Sequence, residues 1–427
     1  MMTSILAAAA AEVPPAWVIA PFVILLACIA IGPLAFPHFW HKRYPHIAVG
    51  LGLISAGYFL ATGRVTPMAH AAEEYVGFIA LIGALYVIAG GIHIRVSGEA
   101  TPMVNTVFLA LGAVLSNIIG TTGASMLLVR PWIRMNKYRI TSFHIVFFIF
   151  IVSNIGGCLT PIGDPPLFMG YLKGIPFWWT AEHLWQGWLI ALVLLLGIFF
   201  ILDRANFLRA PKAVRDAETA KETWEFRGLH NVFFIALVLF AVLKLPMWWR
   251  ELLMLAAALG SMFTTRKEIH AANDFNFAPL KEVVWLFIGI FATMVPALQY
   301  LQASPPPLAG PGSYYWATGV LSGMLDNAPT YLAFFATAMG ANHLSLDSHA
   351  DIALFVANHG ETLRAISFGA VLFGAMTYIG NGPNFMVKAI AEHSKVHTPT
   401  FIGYVVRYAL PFLLPVLFVV WLALFYF

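Results

Sequence analysis

The feature that most constrains this sequence is a succession of apolar stretches, each long enough to cross a membrane. The hydrocarbon core is about 30 Å thick and a helix rises about 1.5 Å per residue, so a span needs about 20 apolar residues. Only 10% of the residues are charged, against about 25% in ordinary soluble domains. The sequence therefore predicts an all-α polytopic membrane protein. Its apolar stretches lie near residues 16–36, 46–62, 74–94, 143–173, 184–202, 229–246, 250–264, 282–303, 365–392 and 401–426.

The remaining composition excludes several other classes of protein. The two cysteines, Cys28 and Cys158, lie far apart in apolar segments, so they support neither a disulfide framework nor a cysteine metal site. The net charge of +4 comes from basic residues dispersed among loops, which membrane topology explains better than a nucleic-acid partner. The 34 Gly and 26 Pro residues indicate broken rather than uniform helices.

Two further apolar stretches, 102–133 and 313–340, are broken at their centres by polar, Gly or Pro residues. Short loops rich in Lys and Arg stay in the cytoplasm, and the basic loops share one side only if 102–133 enters and leaves from the cytoplasm. The flanks of the other stretch, 304–312 and 341–363, contain no Lys or Arg, so it enters from the opposite face. We therefore predict two re-entrant hairpins in inverted repeats, with both termini on the outer face of a bacterial-type inner membrane.

The domain layout follows from this topology. Residues 1–202 form an N-terminal half, and residues 229–427 form a C-terminal half. The mixed charges of 203–228 predict a solvated cytoplasmic linker without a catalytic part. The first residues, Met1 to Ala11, lack a basic stretch, so we expect the N-terminus to be retained rather than cleaved as a signal peptide.

Each half contains a hairpin with a polar tip followed by a span whose middle is broken by Gly, Pro and Asn. The tips are Leu115–Gly123 and Leu321–Thr330, and the discontinuous spans are 143–173 and 365–392. Backbone can leave the helical ladder at membrane depth only where protein or a wet cavity satisfies its freed groups. Half-helix N-termini attract anions, and unwound carbonyls coordinate Na⁺. The repeated breaks therefore predict a transport site.

Hydroxyl and amide side chains at these tips and breaks supply the hard oxygen ligands that Na⁺ prefers. The candidates in the first half are Ser116, Asn117, Thr121, Thr122, Asn154 and Thr160, and those in the second half are Asp326, Asn327, Thr330, Thr377, Asn381 and Asn384. The threonines Thr121, Thr122 and Thr160 have an equally simple structural explanation, because they can bond nearby carbonyls in broken helices.

Two carboxylates, Asp164 and Asp326, lie away from loops and span ends. A carboxylate at bilayer depth costs at least about 2.5 kcal/mol, so it normally faces a cavity or a partner and marks an ion or proton path. Protons and Na⁺ can compete for one such group. The alternative is that each aspartate only caps the helix that follows it.

These residues carry a resemblance to a known family. Ser153–Gly157 and Thr160–Asp164 resemble the broken-span motif of NhaD-type sodium/proton antiporters, and Leu325–Pro329 resembles their hairpin motif. The chain thus resembles the ion-transporter superfamily, which also includes arsenite, citrate-metal and dicarboxylate/sodium transporters. The first tip departs from the antiporters, because Ser116-Asn117 is closer to the Ser-Asn-Thr tips of dicarboxylate carriers.

The resemblance implies a scaffold domain that dimerises and a transport domain that carries both hairpins and moves like an elevator. It also implies ion binding, with Na⁺ candidates at Asn117, Asp164, Asp326 and Asn327. By position alone it extends to two further amides, Asn381 and Asn384.

Three functions compete on this basis. The first is sodium/proton antiport, with Na⁺ and H⁺ as the only coupling ions and no other cofactor. The second is Na⁺- or H⁺-coupled uptake of citrate or another di- or tricarboxylate, with carboxylates held by hairpin N-termini. The third, an intramembrane enzyme, finds little support, because the chain has no His-Glu-x-x-His pattern and Gly123-Ala124-Ser125 lacks a paired base at matching depth. We expect a secondary transporter in the bilayer that acts on a small cation or a carboxylate, and the resemblance implies a homodimer.

Overall fold

The computed structural model describes residues 14–97, 100–209 and 223–426. The predicted N-terminal segment Met1 to Ala11 and the centre of the predicted linker, 210–222, lie outside the described residues. The described chain is nearly all helical, with 79% of residues in helices. Among the described residues, eight helices are long and apolar enough to cross a membrane, and they confirm a multi-pass membrane protein. They are Ala16–Ala35, Pro37–Ala61, Thr66–Gly90, Pro102–Met135, Ser142–Leu159, Trp179–Leu208, Ala278–Ala303 and Phe401–Phe425.

In the first half, the elements follow one another with short connections. A 3₁₀ turn, Ala16–Ile19, precedes the first helix, and a second one, Ile155–Leu159, separates α5 from α6. The elements are α1 (Ala20–Ala35), α2 (Pro37–Ala61), α3 (Thr66–Gly90), β1 (His93–Ser97), α4 (Pro102–Met135), α5 (Ser142–Ile151), α6 (Pro165–Lys173) and α7 (Trp179–Leu208).

After the residues that are not described, the chain resumes with a strand inside the predicted linker and continues in helices. A 3₁₀ turn, Gly374–Met376, follows α15, and a π-helical stretch, Val405–Leu413, joins α17 to α18. The elements are β2 (Thr223–Arg227), α8 (Asn231–Lys244), α9 (Trp249–Thr264), α10 (Lys267–Ala272), α11 (Ala278–Ala303), α12 (Gly310–Met324), α13 (Asn327–Ala341), α14 (His349–Asn358), α15 (Gly360–Phe373), α16 (Gly382–His393), α17 (Phe401–Tyr404) and α18 (Leu414–Phe425).

Burial separates central helices from peripheral ones. In Ser142–Leu159, 83% of the apolar window is buried inside the protein, whereas in Pro37–Ala61 only 28% is buried. A helix that is apolar all round is stable only when protein or lipid surrounds it. Helix α5, the first helical part of the discontinuous span 143–173, therefore lies at the centre of the molecule. Helix α2 leaves most of its apolar surface for lipid.

The helix α4 doubles back on itself at Gly120, where φ is 74° and ψ is 155°. A straight helix of this length would be about 50 Å long. Instead the two ends meet, because the Ala100 amide donates to the Met135 carbonyl at 2.8 Å. The Asn105 amide donates to Asn136 at 2.7 Å. The segment predicted at 102–133 is therefore a helical hairpin, and the face from which it enters the membrane stays a prediction.

The stretch predicted at 313–340 also folds back. Its arms α12 and α13 are separated by two extended residues, Leu325 and Asp326. A side chain at Gly340, near the end of α13, would lie 2.2 Å from the carbonyl oxygen of Gln302, which precedes the start of α12. Gly340 and Gln302 are far apart in sequence but adjacent in space. The hairpin formed by α12 and α13 therefore ends close to where it begins.

A small sheet corrects the all-α prediction. Strands β1 and β2 pair antiparallel, with His93 opposite Arg227 and Ser97 opposite Thr223. The segments are too short and polar for spans, and β2 carries Thr, Trp and Phe, which favour strands. Two other predicted spans are short: α8 has 14 residues and α9 has 16. The helix α7 also runs to Leu208, inside the predicted linker 203–228.

Candidate functional site

The candidate site is centred on the carboxylate of Asp164, which is only 1% exposed. Asp164 lies in extended backbone after the break of the first discontinuous span and is the residue that precedes α6. Its own side chain makes no capping bond to that helix. The alternative explanation of Asp164 as a side-chain cap is therefore wrong, and its two oxygens are available to other partners.

Three side chains from distant parts of the chain donate to this carboxylate. The Thr121 hydroxyl donates to Oδ1 at 2.8 Å, and the Asn381 amide donates to the same oxygen at 2.8 Å. The Asn327 amide donates to Oδ2 at 2.7 Å. The three donors lie at the tip of the first hairpin, at the break of the second span and at the tip of the second hairpin. Both halves of the chain therefore contact the Asp164 carboxyl group.

Each of these partners stands at the start of a helix. Thr121 follows the Gly120 break and begins the second arm of the first hairpin. Asn327 is the first residue of α13, and Asn381 immediately precedes α16, as Asp164 precedes α6. Four helix N-termini, each equivalent to about half a positive charge, therefore converge on one buried carboxylate. Among the described residues, the side-chain donors to this carboxyl group come from threonine and asparagine, and none comes from lysine or arginine.

Two close backbone approaches hold Thr121 in place. The Thr121 amide donates to the Gly163 carbonyl at 2.8 Å. A side chain at Gly120 would lie 3.2 Å from the Ile162 carbonyl, and its positive φ is strained for any other residue. Gly157 packs against Gly163, where a side chain would lie 2.6 Å from the Gly163 carbonyl. Glycine at these points lets the tip and the break touch.

The breaks of the two discontinuous spans share a sequence motif that the sequence analysis missed. Thr160-Pro161-Ile162-Gly163-Asp164-Pro165-Pro166 and Thr377-Tyr378-Ile379-Gly380-Asn381-Gly382-Pro383 agree at Thr, Ile, Gly and the last Pro. The hydroxyl of Thr160 accepts from the Gly163 amide at 3.1 Å. The hydroxyl of Thr377 accepts from the Gly380 amide, also at 3.1 Å. Asp164 and Asn381 thus occupy equivalent positions of this motif.

A network of buried amides joins the two breaks beneath Asp164. Asn154 donates to the Asn384 side chain at 2.7 Å, and Asn381 donates to the Asn154 side chain at 3.2 Å. Asn384 donates to the carbonyls of Gly374 at 2.8 Å and of Thr377 at 2.9 Å. The network satisfies backbone groups that the unwound second span has released.

Three candidates join the first hairpin to the first break and do not donate to Asp164. Asn117 donates to the Gly156 carbonyl at 2.6 Å and accepts from the Leu159 amide at 2.8 Å. The Ser116 hydroxyl donates to the Val152 carbonyl at 2.8 Å. The Thr160 hydroxyl donates to the Asn117 carbonyl at 2.6 Å. These side chains fasten the hairpin to the break, as the structural explanation for Thr160 predicted.

The second hairpin tip combines a cap with a contact to the site. The Asp326 carboxylate accepts from the Ala328 amide at 3.0 Å and caps α13. The Thr330 hydroxyl donates to the Asp326 carbonyl at 2.8 Å. Asp326 therefore takes the structural role that the sequence left open, while its neighbour Asn327 reaches Asp164.

The fold, the site and the length of the chain can now be compared with known families. A family model described as "Putative citrate transport" matches residues 10–426. The chain belongs to this citrate transport family. A comparison with curated proteins finds no match.

Membership of the citrate transport family confirms the resemblance to citrate-transporter-like members of the ion-transporter superfamily over nearly the whole chain. The description of the family as one of citrate transport agrees with the expectation of a transporter. It also favours the carboxylate alternative over the sodium/proton antiport that was the first interpretation of the sequence.

A small cavity adjoins Asp164. Its volume is about 20 Å³, close to the space of a single water. Thr121 and Thr122 line it together with Gly120, Asp164 and apolar side chains such as Phe78. Among the described residues that line this cavity, none is Lys, Arg or His. In this conformation the cavity fits a bare cation or a water, and a citrate does not fit.

One buried charge was missed by the sequence reasoning. Asp203 was assigned to the solvated linker, but it is fully buried at the end of α7. It accepts from Asn105 at 2.8 Å and pairs with His144 at 3.0 Å and with Arg139. Asp203 follows the end of a predicted span, where charged residues are usually exposed to solvent. Its burial depends on the reversal of α4, which brings Asn105 into contact with it.

Proposed function

We propose that this protein is a secondary transporter that carries citrate or another di- or tricarboxylate together with Na⁺ or H⁺. The observation that carries the proposal is the convergence of four helix starts, two from each half, on Asp164. Helix N-termini favour anionic groups through the positive end of the helix dipole. The family match over residues 10–426 supports a carboxylate as the anion.

Charge balance supports coupling to a cation. Four helix N-termini create a positive potential around Asp164. A di- or tricarboxylate substrate brings two or more negative charges to this buried place. A co-bound Na⁺ or a proton on Asp164 offsets part of that charge, so the anion and the cation favour each other's binding.

The partners of Asp164 also suit a cation. Rotation of an Asn side chain by half a turn exchanges its amide donor for its carbonyl acceptor. The oxygens of Asn327 and Asn381, with the Thr121 hydroxyl and the Asp164 carboxylate, then form a hard oxygen set of the kind that Na⁺ prefers. Asn117 and Asp326 remain candidates for a second cation beside it.

The repeated geometry supports alternating access. Both hairpins fold back on themselves, and both breaks carry the same Thr-x-Ile-Gly motif. We propose that the hairpins are re-entrant from opposite faces of a bacterial-type inner membrane, with both termini outside. We further propose that they move as an elevator-type transport domain against a dimeric scaffold.

Uptake of radiolabelled citrate into proteoliposomes tests this function. We expect uptake that needs an inward Na⁺ or H⁺ gradient and is lost in Asp164→Asn, because an amide has no negative charge to attract Na⁺ and no exchangeable acidic proton. Lys42→Gln, on the exposed surface of α2, is the control and retains uptake. Absence of uptake across a panel of di- and tricarboxylates, under either gradient, rejects the proposal.

Sodium/proton antiport is the second candidate, and the cavity of about 20 Å³ beside Asp164 favours it, because that space suits a cation and lacks a basic lining residue. Antiport predicts that Na⁺ addition to proteoliposomes releases protons in a pH-dependent manner and that Asp326→Asn abolishes the release. Unimpaired exchange in that variant refutes the antiport assignment. Proton release without any carboxylate present would favour antiport over symport.

A further inference from the structure

A basic pocket lies apart from the transport site, where β2, α8, α9 and α10 meet. Its volume is about 1040 Å³, and it is open to the surface. The described residues that line it are Arg227, Gly228, His230, Thr264, Arg266, Lys267, Glu268 and Ile269. Three permanent cations thus face one carboxylate.

Two of these cations are uncommitted within the described chain. The Arg227 guanidinium pairs with Glu225 at 2.8 Å. The described residues place no carboxylate within ion-pair distance of Arg266 or Lys267, both of which are exposed. The pocket therefore presents a pair of adjacent positive charges that suits a phosphate group.

The floor of the pocket is rigidly built. Asn231 is fully buried beneath it and donates to the Gly91 carbonyl at 2.8 Å and to the Thr265 hydroxyl at 2.9 Å. The Ser261 hydroxyl donates to the Asn231 side chain at 2.5 Å. These bonds fix the end of α9 against the start of α8, so Arg266 and Lys267 are displayed from a fixed turn rather than from a free loop.

An exposed apolar stripe runs along α9 to the edge of the pocket. Its residues lie three or four positions apart and therefore share one face. They are Leu252, Leu255, Leu259 and Phe263, exposed by 58%, 55%, 49% and 84%. From the first to the last the stripe is about 16 Å long, which matches one leaflet of a hydrocarbon core about 30 Å thick.

We propose that this pocket binds the headgroup of an anionic phospholipid, whose acyl chain lies along the α9 stripe. The occupant is a lipid rather than a free phosphate, because the cations stand at the end of an apolar surface of leaflet length. The positive-inside rule assigns Arg266 and Lys267 to the cytoplasmic side, so the lipid belongs to that leaflet. The site is independent of the transported substrate.

Native mass spectrometry of the full chain, supplied with equimolar phosphatidylglycerol and phosphatidylcholine, tests the proposal. We expect the wild type to retain phosphatidylglycerol about tenfold better, given the usual effect of a few basic residues at an anionic surface. The double variant Arg266→Gln/Lys267→Gln loses this preference. The control variant Lys42→Gln/Arg43→Gln removes the same amount of positive charge from α2. We expect it to keep the preference for phosphatidylglycerol.

Several outcomes overturn the proposal. One is a wild type without lipid preference, a result that does not depend on whether any variant folds. Another is a double variant that retains phosphatidylglycerol as the wild type does. A third is displacement of the lipid by millimolar inorganic phosphate or glycerol phosphate, which would show a site for free anions. Weaker retention of phosphatidylglycerol by Phe263→Ser, with unchanged charge, supports the acyl-chain contact.

Discussion

At the scale of the residue, the site depends on how one carboxylate is satisfied. Asp164 receives three side-chain donors at 2.7 to 2.8 Å and lies among four helix starts. A buried charge without such partners costs several kcal/mol. The Asn327 and Asn381 amides therefore act as hydrogen-bond donors to Asp164. Under the proposed function, rotation of these side chains presents their oxygens to a bound cation instead.

The substitution Asn381→Ala tests this double role. It removes donors to Asp164, to Asn154 and to the Ser153 carbonyl. We expect a loss of about 1–3 kcal/mol in stability, because the buried acceptors stay unpaired, together with a strong loss of citrate uptake. Thermal unfolding in detergent and uptake by proteoliposomes measure the two effects.

The matched control is Asn342→Ala, which removes one bond to the Ala338 carbonyl at a half-exposed helix end. It should cost less than about 1 kcal/mol and leave uptake unchanged. If both variants lost the same stability and retained the same uptake, the contact between Asn381 and Asp164 would not be required for transport.

The candidate residues could be found from the sequence because polar groups are conspicuous in apolar surroundings. Asp164, Asn327, Asn381 and Thr121 were all predicted, and the structure brings them together. Their roles could not be predicted, because Asp326 and Asp164 are alike in sequence while only the fold decides which one caps a helix. The repeated Thr-x-Ile-Gly motif was a signal in the sequence that would have paired Asp164 with Asn381.

At the scale of the element, the decisive features are the reversals of the helical hairpins. Gly120 reverses α4 with a positive φ and lets the tip touch the first break. The base of the same hairpin is closed by Asp203, His144 and Arg139. One end of the hairpin is thus fastened by backbone contacts and the other by buried charge.

Replacing Gly120 with alanine separates strain from crowding. Gly120→Ala combines a left-handed φ with a carbonyl at 3.2 Å, whereas Gly63→Ala has a φ of +70° and nothing within 4 Å. A left-handed conformation costs a non-glycine residue about 1–2 kcal/mol. We expect both variants to lose that much stability, and only Gly120→Ala to lose uptake as well. Unimpaired uptake in Gly120→Ala would show that close contact between tip and break is not required.

The charge at the hairpin base yields a prediction about stability. Asp203→Ala leaves the Arg139 cation buried without its carboxylate, which costs about 3–5 kcal/mol in comparable cases. Glu361→Ala removes an exposed carboxylate that pairs with Arg364 at 3.4 Å and should cost less than about 1 kcal/mol. Chemical denaturation in detergent measures both, and a small effect of Asp203→Ala would show that the cluster is not holding the hairpin.

The elements were predictable to the extent that their periodicity and breaks are local. Long apolar spans and both central breaks could be read from composition, because the membrane thickness sets their length. The pairing of β1 with β2 could not, since it joins residues more than a hundred positions apart. The burial of Asp203 depends in the same way on the return of α4.

At the scale of the whole molecule, the two halves are joined by one ionisable group. Each half supplies a hairpin tip and a broken span, and all four reach Asp164 or contain it. Under the proposed function, a cation that offsets the charge of a bound anion links the two binding events, and such linkage is reciprocal. We propose that coupling follows from this convergence of the halves rather than from a separate device.

Citrate binding to the purified protein, measured by calorimetry across a series of Na⁺ concentrations and pH values, tests this linkage most directly. The account predicts that citrate affinity rises with Na⁺ or with proton concentration in the wild type, and that neither dependence survives in Asp164→Asn. Citrate binding that responds to neither cation in the wild type, or a variant whose dependence equals that of the wild type, would contradict it.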